Sequence, residues 1–148
     1  MKIIIDGDAC PSIPFIESVA KKYSIEVIIF CDINHLIRSD YSAVRIVDNA
    51  FQNVDMYVVN NTSEGDIVIT QDYGVAALCL GKKAKVISTN GVLFTDDNID
   101  SFLQDRHIAQ AIRNAGGRTK GHKKRTKKDE EKLINSLVEV IKQNLECL

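Results

Sequence analysis

No apolar run in this chain approaches the length of a membrane span, and the N-terminus, Met-Lys-Ile-Ile-Ile-Asp, reaches its first carboxylate after only three consecutive isoleucines. Crossing a bilayer takes about 20 apolar residues, and the core of a signal peptide takes at least about 7. The sequence therefore predicts a cytoplasmic protein with no membrane partner. Cysteine is sparse and scattered: Cys10, Cys31, Cys79 and Cys147 form no Cys-x-x-Cys pair, so neither a disulfide framework nor a zinc cage is expected, and the thiols read as buried or idle. His35, His107 and His122 show no metal-ligand spacing. Internal repeats and low-complexity linkers are also missing.

What is present is enough for one domain. With 148 residues, 45% of them hydrophobic, the chain can cover a parallel sheet with helices on both faces, whereas two large domains do not fit. The net charge of −1 conceals an asymmetry. Arg118, Lys120, Lys123, Lys124, Arg125, Lys127 and Lys128 place 7 of the 19 basic residues in one short stretch without an acid, while all 20 acidic residues lie elsewhere. A polyanion would be met locally, through this basic loop near 116–128, rather than by the whole surface. No aromatic residue interleaves with it, so the loop itself offers no base stacking.

Short β-branched runs at Lys2–Ile5, Glu26–Cys31, Ala43–Val47, Ile67–Thr70 and Ala84–Ser88 read as strands buried on both faces. Helical patterns fall between them: one opened by Ser12-Ile13-Pro14 with Phe15, Ile16, Val19 and Ala20 on its apolar face, one at Val54–Val59, and one at Tyr73–Leu80 ended by Gly81. This alternation predicts an α/β fold in three layers, a mainly parallel sheet of about five strands. Asn90-Gly91 signals a two-residue hairpin that adds an antiparallel edge strand. Ile99, Phe102, Leu103, Ile108, Ala111 and Ile112 suggest one amphipathic helix capped by Thr95 or Asp96. After the Gly116-Gly117 break, Thr126 to Asp129 resembles a capping box opening a last helix over 129–146, lined by Leu133, Leu137, Ile141 and Leu145.

Open parallel sheets bind ligands beyond the carboxyl ends of their strands, where the strand order reverses. Asp6 and Asp8 leave the first strand there, and Asp72 leaves the fourth; if these strands are neighbours, their carboxylates converge on one cation. Asp55, in a helical first turn, is a third candidate ligand. Hard oxygen donors suit Mg²⁺ or Mn²⁺, and the chemistry that follows is phosphoryl transfer. Each aspartate also has a plain reading as a turn or helix cap. Asp66 precedes its strand and is expected at the opposite edge. Cys10 lies near the candidate site and is read as a small packed hydrophobe.

Asp6-Gly7-Asp8-Ala9-Cys10-Pro11, Val54-Asp55, Gly65-Asp66-Ile67-Val68-Ile69-Thr70-Gln71-Asp72, Phe94-Thr95 and Asn98-Ile99 together resemble the bacterial YaiI/YqxD family in order and spacing, over about residues 3–140. That family is similar to the PIN-domain nucleases, in which an Asp after the first strand, acids on following helices and the Asp of a Thr-x-Asp motif bind metal and cleave RNA. The resemblance implies a single PIN-like domain over 1–148. By position it assigns Asp6, Asp55 and Asp72 to the metal, with Asp8 a catalytic neighbour. Thr119-Lys120-Gly121-His122 departs from the Thr-Gly-Gly-Pro of relatives, though Lys120 and His122 suit phosphate contact.

The leading expectation is thus a Mg²⁺- or Mn²⁺-dependent ribonuclease, with RNA held by Arg118, Lys120, Lys123, Lys124 and Arg125. One alternative is a nucleic-acid-binding protein whose site is vestigial. Another is a phosphatase, since Asp6-Gly7-Asp8 imitates the Asp-x-Asp motif of haloacid dehalogenase-like enzymes; Cys10 stands against it, because those enzymes place Thr or Val there.

Overall fold

A computed structural model of the chain describes residues 1–7, 10–47, 54–117 and 125–147. Its elements run β1 (Lys2–Asp6), α1 (Ile13–Lys22), β2 (Glu26–Asp32), β3 (Ala43–Val47), α2 (Val54–Asn61), β4 (Ile67–Ile69), α3 (Tyr73–Gly81), β5 (Lys85–Ile87), β6 (Leu93–Phe94), α4 (Ile99–Asn114) and α5 (Lys127–Glu146). The strands form one six-stranded sheet in the order β3-β2-β1-β4-β5-β6, parallel throughout except for β6.

The uninterrupted apolar strands follow from burial on both faces. Ile3 and Ile5 of β1 pack with α1 and α5, whereas Ile4 packs with Phe30 and Val68 against α2 and α3. The sheet is therefore the middle of three layers, and period-2 patterning is hidden because both sets of side chains are inside. Among the described residues, no helix is long and apolar enough to cross a membrane.

Four local expectations are corrected. The hairpin carries a three-residue loop, because Ser88 N–H donates to the Val92 carbonyl at 2.9 Å and only Gly91 takes positive φ, at 83°. The helix stop after α3 is made by Lys83, with φ of 64°, rather than by Gly81. Phe15 is exposed, leaving Ile13, Ile16 and Ala20 as the buried face of α1.

The fourth correction concerns α4. Its apolar residues do not form one stripe. At about 100° per residue, Ile108 lies roughly opposite Ile99, and accordingly Ile99 is buried while Ile108 is 50% and Ile112 42% exposed. The helix proper begins after Asn98, and the expected upstream cap is Thr95: its hydroxyl accepts from Asn98 N–H at 3.2 Å while Asn98 Oδ1 accepts from Thr95 N–H at 2.8 Å, the reciprocal pattern of a capping box. The capping box of α5 is present as expected, with Thr126 and Asp129 each bonded to the other's backbone N–H, though Val140 joins the core in place of exposed Leu145.

Gly91 is where α5 meets the hairpin. A Cβ there would lie 2.5 to 2.6 Å from the backbone of Lys132 and Leu133, and Ser136 Oγ donates to the Gly91 carbonyl at 2.6 Å. Gly91→Ala, combining positive-φ strain with this clash, should lower stability by about 2 kcal/mol or more in urea melts. Gly81→Ala, facing open space at the end of a helix, should be neutral or stabilising by up to about 1 kcal/mol.

Candidate active site

Strand β1 ends in an acid. Asp6 is its last residue and is only 5% exposed, so its carboxylate requires internal partners. One is the Thr70 hydroxyl, which donates to Asp6 Oδ2 at 3.3 Å. Because β1 and β4 pair in register from Ile3–Ile67 to Ile5–Ile69, the residue after β4 is set directly beside Asp6. The same Thr70 oxygen accepts the backbone N–H of Asp72 at 3.0 Å. A single buried hydroxyl therefore ties the two aspartates into one polarised line.

Asp72 also serves as the N-cap of α3, its Oδ1 accepting from Val75 N–H at 3.0 Å. That anchors the side chain at the positive end of the helix. The same oxygen stands 3.9 Å from Arg106 Nη1, on a guanidinium that is 59% exposed. Asp55 occupies the first turn of α2, half-buried, on a helix packed over β1 and β2. Asp8 lies outside the described residues. At the far end of the sheet, Asp66 is held by Lys2 Nζ at 2.6 Å and by the backbone N–H groups of Lys2 and Ser63, which is the structural role expected of it.

Asp6 and Asp72 thus share one hydrogen-bonded line at the carboxyl edge, with Asp55 on the helix above. The donor chemistry, carboxylate and hydroxyl oxygen, suits a hard divalent ion. Yet among the described residues no three acidic, histidine or cysteine side chains are grouped closely enough to hold one.

Two further groups shape this edge. Gly7 follows Asp6 in tight quarters, since a Cβ would sit 2.8 Å from the Phe30 carbonyl. Cys10 is buried, and its thiol is pushed up from 9.0 to about 11, chiefly by that burial, with the charge of Asp6 adding to it and the Ser12 N–H and Arg125 opposing it. At neutral pH it is a protonated packing group rather than a nucleophile.

Arg125 has a place that the sequence did not suggest. Its Nη1 donates to the Thr89 carbonyl and, at 3.4 Å, to Asn90 Oδ1; its Nη2 donates to Ser12 Oγ at 2.7 Å, and Ser12 donates in turn to Glu130 Oε1 at 3.3 Å. The guanidinium fastens the hairpin, the start of α1 and the start of α5 to one another. The other proposed nucleic-acid contacts, Arg118, Lys120, Lys123 and Lys124, and His122, lie outside the described residues. Thr70, Ser12 and Glu130 were not singled out as site residues; a polar side chain two residues before Asp72 was the visible sign for Thr70.

A mainly parallel sheet between two helical layers, with Asp6 and Asp72 just beyond the ends of its central strands, defines a three-layer α/β protein. Comparison with known proteins narrows the class: the chain belongs to the YaiI/YqxD family, whose model, described as uncharacterised, matches residues 4–143. It is 56% identical over 143 residues to a UPF0178 protein of Clostridium perfringens, covering 97% of this chain and 96% of the relative. A UPF0178 protein of Clostridium kluyveri is 50% identical, covering 95% and 93%, and one of Ruminiclostridium cellulolyticum is 47% identical, covering 99% and 95%. No solved structure matches the chain.

Two measurements check this edge. Burial that favours the neutral Cys10 thiol contributes stability in full below pH 9 and loses it as pH rises to about 11. Urea melts should therefore fall over that window, and the fall should be flatter by about 2 kcal/mol in Cys10→Ala. Arg125→Ala should cost about 1–3 kcal/mol, with little recovered by Arg125→Lys, because an ammonium cannot span the Thr89 carbonyl and the Ser12 hydroxyl together. An unchanged melt in the alanine variant would mean the guanidinium holds nothing together.

Proposed function

We propose that this protein hydrolyses phosphodiester bonds in RNA at the carboxyl edge of β1 and β4, with Asp6, Asp55 and Asp72 recruiting Mg²⁺ or Mn²⁺. The observation that carries the reading is the Thr70 hydroxyl, which links the Asp6 carboxylate at the end of β1 to the backbone N–H of Asp72 at the start of α3, at the point where the strand order turns back on itself. A buried acid such as Asp6 is a costly choice for a turn that a neutral side chain could make.

A divalent ion, when bound, neutralises charge developing on the phosphate and activates water. The chain's own groups have the following parts. Thr70 fixes the rotamer of Asp6, so that its carboxylate does not have to reorganise when substrate arrives. The Val75 N–H, donating to Asp72 Oδ1, anchors that side chain at the start of α3 on the same edge. Asp55 brings a third carboxylate from above. Arg106, mostly exposed, is positioned to attract phosphate towards these acids and offset the repulsion between them and a polyanion.

A second reading, a nucleic-acid-binding protein with a vestigial site, is favoured by Asp72 Oδ1, which already caps α3 and faces Arg106. The phosphatase reading is supported only by Asp6, since Asp8 lies outside the described residues.

The deciding experiment is cleavage of labelled RNA and single-stranded DNA with Mg²⁺ or Mn²⁺, against an EDTA control. Asp6→Asn and Asp72→Asn should abolish the EDTA-sensitive cleavage while circular dichroism stays native. Thr70→Val, which removes only the linking hydroxyl, should reduce it about 10- to 100-fold. Equal cleavage by all four proteins, or none by the wild type, would move the assignment to the binding reading.

A further inference from the structure

Phe30 is the register partner of Asp6, so their side chains leave the sheet on the same face. Over the Phe30 ring lies Tyr57 of α2, with centroids 6.2 Å apart and planes tilted by 34°. Phe30 is buried, yet Tyr57 is 36% exposed. An aromatic ring is thereby held against a fixed support, with part of its surface in water, one strand away from the carboxylates. Other tyrosines are engaged differently: Tyr73 is packed against Phe94 and Phe102, and the Tyr41 hydroxyl donates to the Ile25 carbonyl.

Aromatic side chains beside a phosphate-handling site stack nucleobases, and they can do so only with bases whose faces are not already covered by a duplex. The depth of the acids points the same way. Asp6 is almost fully buried, so a scissile phosphate must be brought into the edge by a backbone that can bend. Arg106 stands on the other side of the acids, next to Asp72, where it offers a cation for the backbone. Resting on the reading of this edge as a phosphodiester hydrolase, we propose that its substrate is single-stranded RNA and that Tyr57 is the platform on which one base stacks.

The competing explanation is that Tyr57 merely covers Phe30. Variants separate the two, because Tyr57→Phe keeps an aromatic face and Tyr57→Leu keeps apolar cover without one. The full chain is titrated, in EDTA so that nothing is cut, with a single-stranded oligoribonucleotide containing 2-aminopurine and with the same strand annealed to its complement. The single strand should bind at least about tenfold more tightly than the duplex, with quenching of the fluorophore. Tyr57→Phe should stay within about twofold, and Tyr57→Leu should bind about tenfold more weakly and lose the quenching. Equal affinity for duplex and single strand, or a leucine variant that binds and quenches like the wild type, would overturn the proposal. Cleavage with Mn²⁺, measured separately, keeps the two readings apart. Single strands bound through Tyr57 but left intact would uphold the platform and sink the hydrolase. RNA cut with the same KM by wild type and Tyr57→Leu would do the reverse.

Discussion

Strand β1 is the constraint from which the rest follows. It is hydrogen-bonded along both edges, to β2 and to β4, and covered on both faces. A strand enclosed in this way can end only in a group whose polarity is satisfied from within the protein, and it ends in Asp6. The Thr70 hydroxyl answers that demand. Because it also accepts from the Asp72 backbone, satisfying one acid fixes the position of the next, and the N-cap of α3 is set as a result. Desolvation, register and helix initiation are thus coupled at one oxygen atom, in a setting where an unmade hydrogen bond is expensive.

A second, independent junction holds the opposite layer. Helix α5 follows the basic segment, yet it packs into the core beside α1. Its entry is fixed by Arg125, which reaches the hairpin and Ser12 from the residue before the Thr126 cap. Gly91 then lets the helix backbone approach the hairpin more closely than any side chain would allow. One cation of the basic stretch, Arg125, is therefore a structural anchor, and Lys127 and Lys128 follow it in the first turn of α5.

Much of the fold was legible in the sequence, for reasons that can be stated. Strands buried on both faces appear as plain β-branched runs, and Lys2–Ile5 and Glu26–Cys31 matched such strands to within a residue; Ala43–Val47 matched in position but is an edge strand with Ile46 exposed, not one buried on both faces. The capping box at Thr126 was legible because its partners are three residues apart. Helix α4 misled because apolar residues drawn from two opposite faces sum to a helical-looking pattern; only geometry assigns Ile99 inward and Ile108 outward. Long-range pairings were the least legible. Thr70 meets Asp6 across 64 residues and Arg125 meets Ser12 across 113. Composition says nothing of such distances. Asp6 and Asp72 could be placed at the carboxyl edge from their positions after strands, but not the hydroxyl between them or the tyrosine on the neighbouring helix.

The two buried aspartates of this sheet allow function to be weighed against architecture within one molecule. Asp66, at the amino edge, is neutralised by the Lys2 ammonium and held by two backbone N–H groups. Those partners bind the start of β1 to the turn before β4, and their arrangement accounts fully for a carboxylate in that position. Asp6, at the carboxyl edge of the same strand, is joined through Thr70 to another acid, with a third on the helix above and an exposed guanidinium alongside. The Thr70 link runs from the Asp6 carboxylate to the backbone N–H of Asp72, so it sets the start of α3, and the buried charge of Asp6 is the costly part of the arrangement. The two ends of β1 thus use buried carboxylates differently: Asp66 ties the start of the strand to the turn before β4, and Asp6 ties its end to the residue after β4.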